Sequence, residues 1–203
     1  MTRGRIIGLE GVDAVGKHTQ SVLLQGWLRS QGLSVTSLSF PDYETPIGRE
    51  IKAFLAGKRE FPAEVRHMLF AANRWERISQ IKESQSNSEI LIVNRYTESN
   101  LVYGVANGLR LEWLVALEEG MPKPDLVIVL DAPSKSLISR RLGLKDSYER
   151  DHNLQVRVQT LYKELAPKFG WMIIDGSRSI RQVHNSIIEA VRKKLEIEPS
   201  VTT

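Results

Sequence analysis

The residues with the plainest chemistry stand near the N-terminus, in Gly11-Val12-Asp13-Ala14-Val15-Gly16-Lys17. Two glycines with four residues between them, and a lysine directly after the second, let the backbone curl until successive N–H groups point inward at a polyphosphate. The flanks give this spacing its meaning. The apolar run Arg5-Ile6-Ile7-Gly8-Leu9 before it reads as a buried strand, and the pattern from Gly16 to Ser30 after it reads as a helix. At such a junction the helix N-terminus contributes its positive end and Lys17 reaches β- and γ-phosphates. Gly11 through Lys17, with His18 and Thr19 in the first helical turn, is therefore a candidate nucleoside triphosphate cradle. His18 stands where phosphate loops usually carry a Ser or Thr that binds Mg²⁺. Imidazole is a poor Mg²⁺ partner beside oxygen donors, so His18 reads as a first-turn residue near the donor phosphates. The metal is then expected to be held through water and the phosphates.

The elements that must position this loop follow from periodicity. Leu33 to Phe40, Ile90 to Val93, Leu126 to Leu130 and Trp171 to Ile174 read as further strands. Ile47 to Leu55, Ala63 to Glu83, Ser134 to Leu142, Leu154 to Phe169 and Ile180 to Leu195 read as helices. Short apolar strands alternating with helices predict an α/β fold: a parallel sheet covered on both faces, with ligands at the carboxyl ends of its strands. A polar, cation-bearing stretch over about residues 141–151 is expected to be a lid, and residues 196–203 a fraying tail.

A chain of 203 residues, 41% hydrophobic and 26% charged, suits one folded domain, expected over residues 1–195. The absence of cysteine excludes disulfides, thiolate metal sites and cysteine nucleophiles. No apolar run approaches the roughly 20 residues of a membrane span, and Met1-Thr2-Arg3-Gly4-Arg5 lacks a signal-peptide core, so a cytoplasmic protein with no membrane partner is expected. The net charge of +4 is scattered apart from Arg192-Lys193-Lys194, which reads as a solvated last helical turn. No nucleic-acid partner is expected from that pattern.

Further motifs follow in order. They are Phe40-Pro41-Asp42-Tyr43, His67-Met68-Leu69-Phe70-Ala71-Ala72-Asn73-Arg74-Trp75-Glu76, Asn94-Arg95-Tyr96, Leu130-Asp131-Ala132-Pro133, Asp146-Ser147-Tyr148-Glu149 and Ile174-Asp175-Gly176-Ser177-Arg178-Ser179-Ile180. Together with Gly11-Val12-Asp13 they closely resemble the thymidylate kinase family of P-loop nucleoside monophosphate kinases, over roughly residues 5–195. The resemblance implies a five-stranded parallel sheet with a helical lid, and transfer of phosphate from ATP to dTMP with Mg²⁺. It also implies a homodimer. A broader pyrimidine deoxynucleotide kinase, or a weak nucleotide-binding paralogue, stays open.

The roles implied for individual residues can be set beside their plain reading. On spacing alone Phe70 is a core aromatic and Arg74, four residues on, a solvated position on the same helix face. The resemblance makes Phe70 the stacking partner of thymine and Arg74 a donor to its carbonyl. It places Asn100 and Tyr103 at the base edge and deoxyribose, and Pro41 and Tyr43 beside the monophosphate. Asp13 is implied near the acceptor nucleotide, and Arg95 bridges the two phosphate groups beside Lys17. Some relatives carry an arginine in the phosphate loop where this chain has Ala14, so the catalytic cation is expected from the lid: Arg141 and Lys145 as clamps, Arg140 on adenine, with Arg150 either solvated or paired. Arg178 is expected on the ATP side. Asn94 departs from the usual Asp, which removes a charge that would organise Mg²⁺-bound water.

Overall fold

The computed structural model describes residues 3–133, 148 and 151–197, and the following concerns these residues. Five strands, β1 (Arg5–Gly11), β2 (Val35–Ser39), β3 (Ile90–Asn94), β4 (Leu126–Asp131) and β5 (Met172–Asp175), pair in parallel in the order β2-β3-β1-β4-β5. Eight helices among the described residues accompany them: α1 (Lys17–Ser30), α2 (Pro46–Leu55), α3 (Ala63–Glu76), α4 (Ile78–Asn87), α5 (Thr97–Ala106), α6 (Leu111–Leu117), α7 (His152–Phe169) and α8 (Ile180–Leu195).

The inner strands are apolar on both faces because both are covered. Ile7 and Leu9 share a core with Leu24 and Leu28 of α1, whereas Ile6, Leu91 and Val93 meet Ile81 of α4. The two-residue period of a strand sends neighbouring side chains to opposite faces. The edge strands β2 and β5 are only partly buried. The strand order reverses at β1, whose neighbours are β3 and β4, and such a switch point opens a crevice at the carboxyl end. The phosphate loop leaves β1 there.

Helix starts carry their reasons in the sequence. Thr45 caps α2 through Gly48 N–H at 2.9 Å with Pro46 in the first turn, and Asp151 caps α7 through Leu154 N–H at 2.9 Å. Ser179 and Gln182 form a capping box on α8.

Two features differ from expectation. The helical pattern over Ala63–Glu83 is broken at Arg77, whose backbone (φ −102°, ψ 10°) separates α3 from α4. Its guanidinium reaches Asp42 Oδ2 at 2.7 Å, and the apolar spacing runs across the bend without marking it. Helices α5 and α6 were not expected at all. Eight of the ten α5 residues are buried, so no polar stripe advertises a helical period, and α6 spans only seven residues. Gly104 lets them meet: a Cβ there would lie 2.5 Å from both Leu114 methyls. No helix among the described residues is long and apolar enough to cross a membrane. The expected helix over 134–142, most of the lid, and residues 198–203 lie outside the described residues.

Two acids are buried beneath the site. Glu10 accepts from Tyr96 N–H at 2.7 Å, the Ser99 hydroxyl at 2.5 Å and the Tyr162 hydroxyl at 2.9 Å. Glu98 accepts from the Thr97 hydroxyl at 3.0 Å, while its Oε2 has no hydrogen-bond partner among the described residues. Burial, and then the facing Glu10, push the Glu98 carboxyl up from 4.5 to about 8. The folded chain therefore keeps a proton that the unfolded chain releases, and this contribution to stability declines as pH rises from about 4.5 to 8. Glu98→Gln is expected to flatten that decline, measured as urea-unfolding free energy at pH 5 and pH 8. Equal slopes in the two proteins would contradict the assignment.

Candidate functional site

The phosphate loop is built from two buried anchors and three left-handed residues. Val12 and Val15 are 2% and 3% exposed and tie the loop to the core. Gly11 (φ 132°), Ala14 (φ 63°) and Gly16 (φ 106°) reverse the backbone between them. A Cβ on Gly11 would lie 2.4 Å from the Leu130 carbonyl oxygen, which requires glycine on steric grounds as well. At Ala14 the left-handed backbone costs about 1–2 kcal/mol. Lys17 folds over the loop, donating to the Gly11 and Val12 carbonyls at 2.8 Å each.

Asp13 carries the loop's only carboxylate and is the hub of the site. One oxygen pairs with the Arg95 guanidinium; the other accepts from Gln155 Nε2 at 2.9 Å and the Tyr103 hydroxyl at 3.2 Å. Burial alone raises its pKa, but Arg95, then Lys17, then the Gln155 and Tyr103 donors outweigh it and hold it below 3.8. For Arg95 burial works in the opposite direction and Asp13 prevails, so the guanidinium stays charged. Burial, reinforced by Asp13, raises the Tyr103 phenol, which remains a protonated donor. Arg95 itself is left-handed (φ 57°), and its turn is held from both sides: Arg95 N–H donates to the Leu9 carbonyl at 3.1 Å, and the next N–H to Glu10.

A cleft of about 330 Å³ runs from this pair along the carboxyl ends of the strands. Lys17 and His18 line it from the start of α1, Phe70 and Arg74 from α3, and Asn100 and Tyr103 from α5, with Pro41 and Tyr43 also on its wall. Asn73 steadies that wall by bonding both Asp42 N–H at 2.8 Å and the Asp42 carbonyl at 3.0 Å. Phe70 lies 6.3 Å from the Tyr148 ring, and Tyr148 lies parallel to Tyr103 at 5.9 Å. Arg74 is 2% exposed, with Nε and one terminal nitrogen on the Glu118 carboxylate. The Asn100 amide is engaged at both ends, its oxygen 2.7 Å from His67 Nδ1 and its nitrogen 2.7 Å from Glu118 Oε1. Burial lowers His67 to about 4, so the ring is neutral.

The remaining expected residues lie elsewhere. Thr19 is exposed on the first turn of α1. Arg178 is more than half exposed, pairs with Asp175 at 3.1 Å, and lines no part of the cleft. Its segment nevertheless adjoins the phosphate loop, since a Cβ on Gly176 would lie 3.0 Å from Val15 Cγ2. Arg140, Arg141, Lys145 and Arg150 lie outside the described residues. Among the described residues no three His, Cys, Asp or Glu side chains gather as metal ligands. Asn94 donates to the Ser21 and Ser39 hydroxyls at 3.1 and 3.3 Å, and its buried Oδ1 has no hydrogen-bond partner among the described residues.

Gln155, Glu118, His67 and Glu10 complete the site and had no assigned role. Gln155 and Glu118 carry no spacing signal, because their partners are 142 and 44 residues away. Glu10 directly precedes the first loop glycine, and His67 and Tyr148 fall inside motifs quoted above, so adjacency was the available clue.

The sequence profile described as Thymidylate kinase matches residues 9–187. A thymidylate kinase of Dictyostelium discoideum is 36% identical over 199 residues, covering 96% of this chain and 89% of that protein. The Homo sapiens thymidylate kinase is 35% identical over 188 residues, covering 91% and 88%. The solved thymidylate kinase of Candida albicans superposes with a TM-score of 0.84 at 28% identity, covering 97% of this chain and 94% of that one.

Gln155 is 1% exposed and supplies one of the two donors to Asp13 Oδ2. Gln155→Leu is expected to lower the unfolding free energy by about 1–3 kcal/mol, as for a buried acceptor that loses its donor. The Asp13 carboxyl should titrate at higher pH by ¹³C NMR. Unchanged stability together with an unchanged titration would contradict the role given to Gln155.

Proposed function

The chain belongs to the thymidylate kinase family, and we infer from this premise that it transfers the γ-phosphoryl group of ATP to dTMP, releasing dTDP and ADP. The observation that carries the reading is the continuity of one cleft from the phosphate-loop lysine to the aromatic and guanidinium pair of α3. A donor triphosphate on the loop and an acceptor nucleotide over Phe70 then face each other across Asp13 and Arg95. An oxygen of the dTMP phosphate attacks the γ-phosphorus, and the bond to the β-phosphate oxygen breaks. The chemistry needs alignment and charge neutralisation more than covalent help.

Each side chain has a part in this reading. Lys17 and the N–H groups at the start of α1 hold the donor phosphates. Arg95, kept charged by Asp13, reaches the phosphates of both nucleotides. Asp13 sets that guanidinium and receives the acceptor sugar or phosphate through water. Phe70 offers a face to the base, Arg74 a donor to a thymine carbonyl, and Tyr103 bulk where a 2′-hydroxyl would lie. Mg²⁺ would be held chiefly by the phosphates and would supply charge neutralisation there. Asn94 Oδ1 at the end of β3, without a hydrogen-bond partner among the described residues, would accept from a metal-bound water as a neutral substitute for a carboxylate. Arg141 and Lys145 would clamp the phosphates from the lid, Arg140 would stack on adenine, and Arg178 would lie on the ATP side.

A coupled ADP-release assay over dTMP, dUMP, dCMP, dAMP and dGMP, with and without Mg²⁺, tests the reading. The largest kcat/KM is expected for dTMP in the presence of Mg²⁺. Lys17→Ala should lower kcat by about 100-fold or more in a folded protein, because the lysine acts on charge that shifts during transfer. A folded wild type that releases no ADP with dTMP, or that favours another acceptor, would contradict it.

A further inference from the structure

The base end of the cleft is held by a chain of hydrogen bonds that ends on one acceptor-only side chain. Glu118 follows α6, and its carboxylate can only accept. Its Oε2 takes Arg74 Nε–H at 3.1 Å, and its Oε1 takes both the second Arg74 nitrogen and Asn100 Nδ2–H, the latter at 2.7 Å. With its nitrogen committed to Glu118 at 2.7 Å and more loosely to the His67 carbonyl at 3.3 Å, Asn100 presents its oxygen to His67 Nδ1 at 2.7 Å. The neutral ring then carries its proton on Nδ1 and leaves Nε2 as an acceptor, which the Asn107 amide nitrogen meets at 3.2 Å. Every member from Asn107 to Arg74 therefore has one orientation, and the series ends on the one group that donates nothing.

Two consequences reach the cleft. The Arg74 guanidinium is locked by its two bonds to Glu118, so its remaining edge is NH1, a donor. The carbonyl of Asn100, a residue that lines the cleft, is turned to His67 instead. We propose that Glu118 sets the hydrogen-bond polarity of the base site, acting as a positioning residue that makes it accept a nucleobase with a carbonyl at the read edge and refuse one with an amine. This rests on the kinase reading above, and assigns the choice between thymine and cytosine to a residue that itself does not line the cleft. Replacing the carboxylate by an amide supplies a donor where only an acceptor stood. The Asn100 nitrogen then keeps only its longer bond to the His67 carbonyl, at 3.3 Å, and the amide can turn round and offer its oxygen to the cleft.

The test compares kcat/KM for dTMP and dCMP in the wild type, Glu118→Gln, Glu118→Asp, and the exposed neighbour Glu119→Gln as control. The Gln variant is expected to lose about tenfold or more of the dTMP over dCMP preference, with kcat at saturating dTMP nearly kept. The Asp variant keeps an acceptor-only group and should retain the preference while KM for dTMP rises, and Glu119→Gln should behave as wild type. A wild type with no preference for dTMP would overturn the kinase reading and this inference together. A wild type with the preference, matched by an unchanged ratio in the Gln variant, would overturn this inference alone. The unsubstituted protein gives an independent readout should the Gln variant not fold. A preset guanidinium requires the Arg74 Nε–H to be protected from solvent exchange before dTMP is added, and protection gained only on binding would overturn the proposal.

Discussion

The site depends on the ion pair between Asp13 and Arg95. It joins the loop that follows β1 to the turn that follows β3. Both side chains are largely withdrawn from water, at 12% and 22% exposure, so the attraction between them is little screened. Neither residue sits in relaxed surroundings. Arg95 is left-handed, and Ala14 beside Asp13 is as well. Such conformations persist where their surroundings over-determine them, and here Leu9, Glu10, Gln155 and Tyr103 do so.

The same design recurs at three depths. Glu10 gathers Tyr96, Ser99 and Tyr162 under the sheet; Asp13 gathers Arg95, Tyr103 and Gln155 at the crevice; Glu118 gathers Arg74 and Asn100 at the base end. Each carboxylate is a fixed acceptor that orients donors on neighbouring elements. Helix α5 connects all three, since Ser99, Asn100 and Tyr103 fall within little more than one turn of it. Groups oriented this way before any substrate arrives need no reorganisation during transfer, and that is where electrostatic catalysis gains most. A helix almost wholly buried, including its polar residues, is the structural cost.

How much of this the sequence disclosed follows from the kind of constraint involved. The phosphate loop was legible because a backbone that must turn left-handed at Gly11 and Gly16 leaves glycines at fixed spacing. The sheet was legible because strands buried on both faces become continuous apolar runs. Phe70 and Arg74 could be paired from helical spacing, and the structure brings both to one cleft with Lys17, Asp13, Arg95, Asn100 and Tyr103. Helix α5 was not legible, because full burial erases the amphipathic period. Nor were Glu118 and Gln155: a partner met through the fold leaves no local mark. Asn100 shows the limit of reading one residue at a time, since its amide is spent on His67 and Glu118 rather than left open to the cleft.

If Asp13 and Arg95 act as one unit, their removal should be strongly non-additive. The decisive measurement is a double-mutant cycle with Asp13→Asn, Arg95→Gln and the double variant, read as kcat/KM for dTMP in proteins shown to be folded by circular dichroism. Either single change leaves the other charge buried without its partner, so the double variant should lose scarcely more activity than the worse single one. That corresponds to a coupling of about 2 kcal/mol or more. Losses that simply add would mean that the two side chains work independently, and the pair would no longer be the joint between the two halves of the site.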